Sequence, residues 1–234
     1  FNQIVNNIAK THYRWNEALN ITIRMPYGGG MSAGPFHSQC PESWFFHTPG
    51  LKIVVPSTPF DAKGLLNSAI EDPNPVLYFE HKYMYRRIKG IVPNNYYNIE
   101  IGKADIKRKG DHVSVITYGM GVHWMLDISD KLEEAGIDLE IIDLRSLIPW
   151  DKKLVEESIS KTNRVLIVHE ANLTGGIGAE ISAYVGEKCF RSLDAPVMRL
   201  GALDIPIPFS EKLETEIYLP INKIEQKIKE LVNF

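Results

Sequence analysis

Three of the seven histidines stand where an imidazole could do chemistry. His37 lies in "AGPFHSQCPE", residues 33–42, between a glycine-rich run and a proline. An unperturbed imidazole titrates near neutrality, so it can take and return a proton at working pH, and loops carried by α/β sheets are where such groups act. Its position leaves His37 open as a catalytic loop group or an ordinary surface histidine. His47 could belong to the same region, or be a helix C-terminal residue favoured by the dipole. His169 adjoins Glu170 at the end of an expected strand, which suits either a site or a hydrogen-bonded structural pair. The remaining histidines carry no signal.

Glycines and acids give further candidates. "GGGMSA" from Gly28 fits the loosest dinucleotide fingerprint, but Pro35 would interrupt the helix that must open there, and no acidic residue ends a strand about 20 residues on. "TGGIGAE" at 174–180 either turns its amides toward an anion or is a strand-to-helix turn that needs small residues. "IEDPNP" at 70–75 is a turn by composition, and the oxygens of Asp72 and Asn74 could also hold a hard cation. No Walker A, HExxH or GxSxG pattern occurs, which removes the commonest phosphotransferase and hydrolase chemistries.

These residues must be held by a framework. Ile4, Val5, Ile8 and Ala9 recur at helical spacing, and "NITIRMP" alternates as a strand. Pro41 opens a short helix, "LKIVVPS" has the β-branched run of a buried parallel strand, and Thr58, Pro59 and Asp61 cap a helix expected to run to about Asp72. The strand "PVLYFEH" follows. Residues 86–112 read as a linker with one short strand around Ile99 to Ile101. Strands at "HVSVITYG", "LEIIDLR", "RVLIVHE" and "APVMRLG" then alternate with helices over 121–135, 150–161 and 177–190, ahead of two C-terminal helical stretches. The pattern predicts an α/β protein with parallel sheets and covered faces, whose second half is complete and whose first is not. Ligands of such sheets sit outside the carboxyl ends of the strands.

Composition narrows the partners. The chain has 234 residues, 44% of them apolar and 24% charged, with a formal net charge of -3, which is globular and weakly acidic. "KADIKRKGDH" at 103–112 is the nearest thing to a basic patch and reads as a solvated turn, so no nucleic-acid partner is expected. Cys40 and Cys189 form no disulfide framework and no CxxC motif, which points to a reducing compartment. No apolar run reaches membrane length, and "FNQIVNNIAK" has neither a secretory nor a transit layout. The chain begins with Phe inside an expected helix, so it is expected to be a fragment.

The loop and its neighbours form a longer pattern. "TIRMPYGGG", "GPFHSQCPESWFFHTPGLKIVVPSTPFDAKGLLNSAIEDPNPVLYFEHK", "IGKADIKRKG", "IIDLRSLIPWD" and "VLIVHEANLTGGIGAEI" closely resemble the beta chain of thiamine-diphosphate-dependent 2-oxo acid dehydrogenases over essentially the whole sequence. "LIPWD" and "HEANLTGG" look more like the branched-chain (2-oxoisovalerate) type than the pyruvate type. The resemblance implies part of a pyrimidine-binding domain over 1–85, a linker over 86–112 and a transketolase C-terminal domain over 113–234. It implies oxidative decarboxylation of a 2-oxo acid and reductive acylation of a lipoyl group, with thiamine diphosphate and magnesium (Mg2+) in the complete enzyme. His37 matches the family's active-site histidine, and His47 matches a recurrent histidine without an assigned role. A structural potassium ion (K+) is implied at Ile21, Thr22, Ala69, Asp72 and Asn74. The implied partners are an alpha chain or region, a second beta copy and the lipoyl acyltransferase core, in the bacterial cytoplasm or the mitochondrial matrix, with no membrane partner.

Two departures qualify the match. The family's upstream glutamate and aromatic residue at the aminopyrimidine precede Phe1, so the expected polypeptide is N-terminally truncated. The diphosphate and magnesium motif belongs to the alpha chain, and "KGDH" at 109–112 lacks its second glycine and asparagines. Taken alone, these residues are expected to bind the cofactor poorly and turn nothing over. Acetoin- or pyruvate-specific relatives remain alternatives, as does a non-catalytic assembly or docking fragment.

Overall fold

A computed structural model describes residues 1–234. Irregular turns over Gln3–Asn7 and Ile8–Lys10 lead into α1 (Thr11–Trp15), which stops at Asn16 in a left-handed conformation with φ 55°. Then follow β1 (Thr22–Tyr27), α2 (Gly34–His37), α3 (Glu42–Phe46), β2 (Lys52–Val54), α4 (Pro59–Glu71), β3 (Val76–His81) and α5 (Met84–Arg87). Central β3 pairs in parallel with β1 on one side and β2 on the other, and all six of its residues are buried. A strand covered on both faces is what the run "VLYF" requires. Thr58 caps α4 as expected: it is extended, its hydroxyl accepts the Asp61 amide at 3.1 Å, and Pro59 occupies the first turn, where no amide is missed.

The second half continues with β4 (Asp105–Arg108), β5 (Val113–Thr117), α6 (Met120–Glu134), β6 (Leu139–Asp143), β7 (Ser146–Ile148), α7 (Lys152–Thr162), β8 (Val165–Asn172), α8 (Ile177–Lys188), β9 (Met198–Ala202), α9 (Glu211–Leu213) and α10 (Ile221–Val232). Its sheet runs β4-β6-β5-β8-β9, parallel except for the edge strand β4.

Two strands fall where the periodicity did not put them. No strand forms at 99–101, because the Ile99 amide is taken by α4, through the Gly64 carbonyl at 3.2 Å and the Ser68 hydroxyl at 3.1 Å. The strand is β4, inside "KADIKRKGDH", so that segment is an edge strand followed by a turn and not simply a solvated turn. Its bases are spent within the chain: Lys107 lies 2.8 Å from Asp61, and Arg108 lies 2.8 Å from Asp130 and 2.5 Å from Glu133. The other is β7, which leaves the second half and pairs antiparallel with β2, so the first sheet reads β1-β3-β2-β7.

The main apolar cluster accordingly spans both halves. Leu77 and Phe79 of β3 share it with Ile116 of β5, Ile167 of β8 and Ile181 of α8. Burying such a side chain stabilises by about 1.5–3 kcal/mol, so the halves share much of their stabilisation.

Candidate active site

β1 ends on the buried Tyr27 and enters a loop whose neck is closed by the Gly28 amide donating to the Gln39 carbonyl at 3.1 Å. Gly28 has φ +88°, and a Cβ on it would overlap the His81 ring, so glycine is required twice over. The Gly29 amide donates to Glu170 at 2.5 Å, and the Gly30 and Ser32 amides donate to the two oxygens of Glu214, each at 2.8 Å. Both carboxylates come from the second half. Beyond these anchors α2 carries Phe36, 84% exposed, and the exposed His37 at its last position.

Beneath the loop lies a buried polar cluster. His81 Nε2 meets Glu170 Oε2 at 2.6 Å, and the Tyr118 hydroxyl donates to Glu42 at 2.8 Å. The Tyr27 ring stands edge-on to His81 with centroids 5.1 Å apart. Burial pushes the Glu42 carboxyl up to about 7, only partly offset by its own amide and by Tyr118. Burial would also raise Glu170, but His81 and the Gly29 amide outweigh it and hold that carboxyl below its ordinary value. The Cys40 thiol, three residues after His37, is raised well above its usual range by burial and then by Glu170.

His169 and Glu170 do not pair. Successive strand residues point to opposite faces, so Glu170 turns toward the loop while His169 turns toward α8. There its Nδ1 lies 2.9 Å from the Ala171 carbonyl, and burial lowers its pKa to about 4, so it is a neutral structural group. "TGGIGAE" is needed for this packing: a Cβ on Gly176 or Gly178 would come within 2.5 or 2.7 Å of the His169 ring. The glycine-rich loop from Gly28 binds no nucleotide phosphate through Gly29, Gly30 or Ser32, whose amides are occupied by the chain's own carboxylates. His47 is the exposed C-cap of α3 and borders a cavity of about 560 Å³ together with Gly175, Gly176 and Glu180, away from His37.

The five candidate potassium residues lie at the start of β1 and around the end of α4. Thr22 donates to the Ala69 carbonyl at 2.8 Å, the Val76 amide donates to the Ile21 carbonyl at 2.9 Å, and the Asn74 amide donates to Asp72 at 2.9 Å. The Lys52 ammonium lies 2.5 Å from Asp72.

Residues 1–87 match the family described as transketolase, pyrimidine binding domain, and residues 102–224 match transketolase, C-terminal domain. The 2-oxoisovalerate dehydrogenase subunit beta of Bacillus subtilis is 47% identical over all of this chain and 72% of its own length. The chain belongs to the transketolase-like beta subunits of the 2-oxo acid dehydrogenases. A second Bacillus subtilis relative in this family of beta subunits, that of acetoin:2,6-dichlorophenolindophenol oxidoreductase, is 46% identical over 94% of this chain and 64% of its own. A solved split-gene transketolase, described as an inactive beta4 tetramer, superposes with TM-score 0.82 at 22% identity over all of this chain and 72% of its own, a likeness of fold alone.

Sequence reasoning placed His37 on its loop but missed what holds it. His81 had one usable signal, as the last residue of a buried parallel strand, where ligands and functional groups collect. Glu214 sits in a polar helical stretch and Glu42 in a short helix, and neither spacing marks them as buried.

As a cofactor site the chain fits only in part. The loop amides that could have received a diphosphate are spent on Glu170 and Glu214, and no group of three His, Cys, Asp or Glu side chains is gathered to hold a metal. The residues here therefore do not fit the diphosphate and magnesium end of the cofactor. At the turn over 70–75 the Asp72 carboxylate is held within the chain by Lys52 and by the Asn74 amide.

Proposed function

We propose that this chain supplies the His37 loop to the decarboxylating component of a branched-chain 2-oxo acid dehydrogenase complex. The reaction is oxidative decarboxylation of the 2-oxo acid and reductive acylation of a lipoyl group. The observation that carries this reading is the 47% identity over the whole chain, which includes an exposed imidazole on a loop anchored from the second half. When bound, thiamine diphosphate supplies the electron sink for loss of carbon dioxide. Its diphosphate and magnesium are assigned to an alpha chain or region, since the amides here are occupied. This chain presents His37 outward, where the imidazole can give or take a proton while the acyl group passes to a lipoyl arm from an acyltransferase core. A second beta copy completes the assembly.

In the complete complex, His37→Ala should lower acyl transfer to lipoamide about 10²–10⁴-fold, the usual worth of a positioned acid or base. Unchanged turnover would remove His37 from the reaction. The 46% identity to the acetoin relative favours a second substrate class, and turnover of the complex with 3-methyl-2-oxobutanoate, pyruvate and acetoin separates them. A clear preference for pyruvate or acetoin would sink the branched-chain reading. A potassium ion at Ile21, Thr22, Ala69, Asp72 and Asn74 is part of the proposal. The melting temperature of the complex should rise in potassium over sodium at equal ionic strength, and Asp72→Asn should abolish the difference.

A further inference from the structure

We propose that the buried Glu170–His81 pair is the positioning device of the His37 loop, a role that rests on the reading of His37 given above. Glu170 meets the loop at its neck. It accepts the Gly29 amide at 2.5 Å on the incoming side of the neck. The neck itself is closed beside that point by the Gly28–Gln39 bond of 3.1 Å. A carboxylate bound to the incoming strand, beside the backbone bond that ties it to the outgoing one, fixes where the neck sits, and through it the pose of α2.

His81 fixes the carboxylate in turn. Its Nε2 holds the second oxygen of Glu170 at 2.6 Å, while its Nδ1 is buried without a partner, so Glu170 is the only group that orients the ring by a hydrogen bond. The ring also fills the space under Gly28 that any side chain there would need. The pair joins the carboxyl end of β3 to β8, so the second half sets the position of a histidine carried by the first. A buried hydrogen-bonded pair of this kind defines one geometry, which is what a loop presenting an acid–base group needs.

The test uses the complete complex. Glu170→Gln should lower the melting temperature while leaving the complex folded, keep the KM for the 2-oxo acid, and lower acyl transfer about tenfold to a hundredfold, the cost of a misplacement of about 1 Å. Added to His37→Ala it should lower transfer no further, because a positioning residue acts only through the group it positions. Hydrogen exchange without substrate should quicken across residues 28–40 and stay unchanged elsewhere. Exchange that stays slow across 28–40, or losses that add in the double variant, would overturn the proposal. Quickened exchange together with an inert His37→Ala would retire the reading of His37 and still support the clamp. Should Glu170→Gln not fold, His81→Phe keeps a ring under Gly28 and removes the hydrogen bond that holds the carboxylate. It should quicken exchange over 28–40, and unchanged exchange there would overturn the proposal equally.

Discussion

Glu42 and Glu170 share one buried cluster yet answer burial in opposite ways, and this fixes the sign of two pH effects. Glu42 keeps its proton in the folded chain up to about 7, whereas an unfolded glutamate loses it near 4.5. Between those values the folded state binds the extra proton, so stability falls as pH rises through that window and levels off above it. At about 1.4 kcal/mol per unit the decline is of order 3–4 kcal/mol, and Glu42→Gln should lack it. Melting curves from pH 5 to 8 check this: the variant should gain on the native chain as pH rises, and parallel curves would refute it. Asp143, raised by burial to about 6, adds a decline of the same sign at lower pH. Glu170, held below its ordinary value, stabilises at neutral pH and loses that contribution on acidification.

Among the elements, α4 and the loop after β1 are the most exposed to single changes. Thr58→Ala should cost about 1 kcal/mol in denaturant unfolding, the usual loss of a capping hydroxyl. Gly28→Ala forces a side chain into positive φ and into the His81 ring; the backbone term alone is about 1–2 kcal/mol, and hydrogen exchange at Gly29 should quicken with it. The contrast shows where sequence was legible. Thr58, Pro59 and Asp61 announce α4 because a cap is written in adjacent residues, and "VLYF" announces β3 because burial on both faces is written in composition. β7 is three residues whose partner, β2, lies some ninety positions earlier, and no local signal encodes such a pairing. His37 was legible as a loop histidine and its role only through resemblance. Its anchors Glu170 and Glu214 were not, since each acts on amides 141 to 184 residues away.

For the whole molecule, a second polar junction joins the halves beside the shared core. Asp61, 1% exposed at its side chain, meets Lys107 at 2.8 Å and Arg145 at 3.2 Å, and Ser57 donates to the buried Asp143. Lys107→Met removes one of the two cationic partners of Asp61 and should cost about 3 kcal/mol, the low end for a broken buried pair because Arg145 remains. Denaturant unfolding followed by Trp fluorescence and by circular dichroism should then lose coincidence, as the halves part before either melts. Coincident curves would show that the shared core alone couples them. The donated strand β7 has a consequence for biosynthesis as well. Until residue 148 has left the ribosome, the β2 edge of the first sheet stays open, a delay of about 5–20 s at the usual 5–20 residues per second. An unpaired strand edge held that long is a site for pairing between nascent chains. The first half must therefore be shielded while the second is made, and slower elongation between residues 54 and 148 should raise the insoluble fraction.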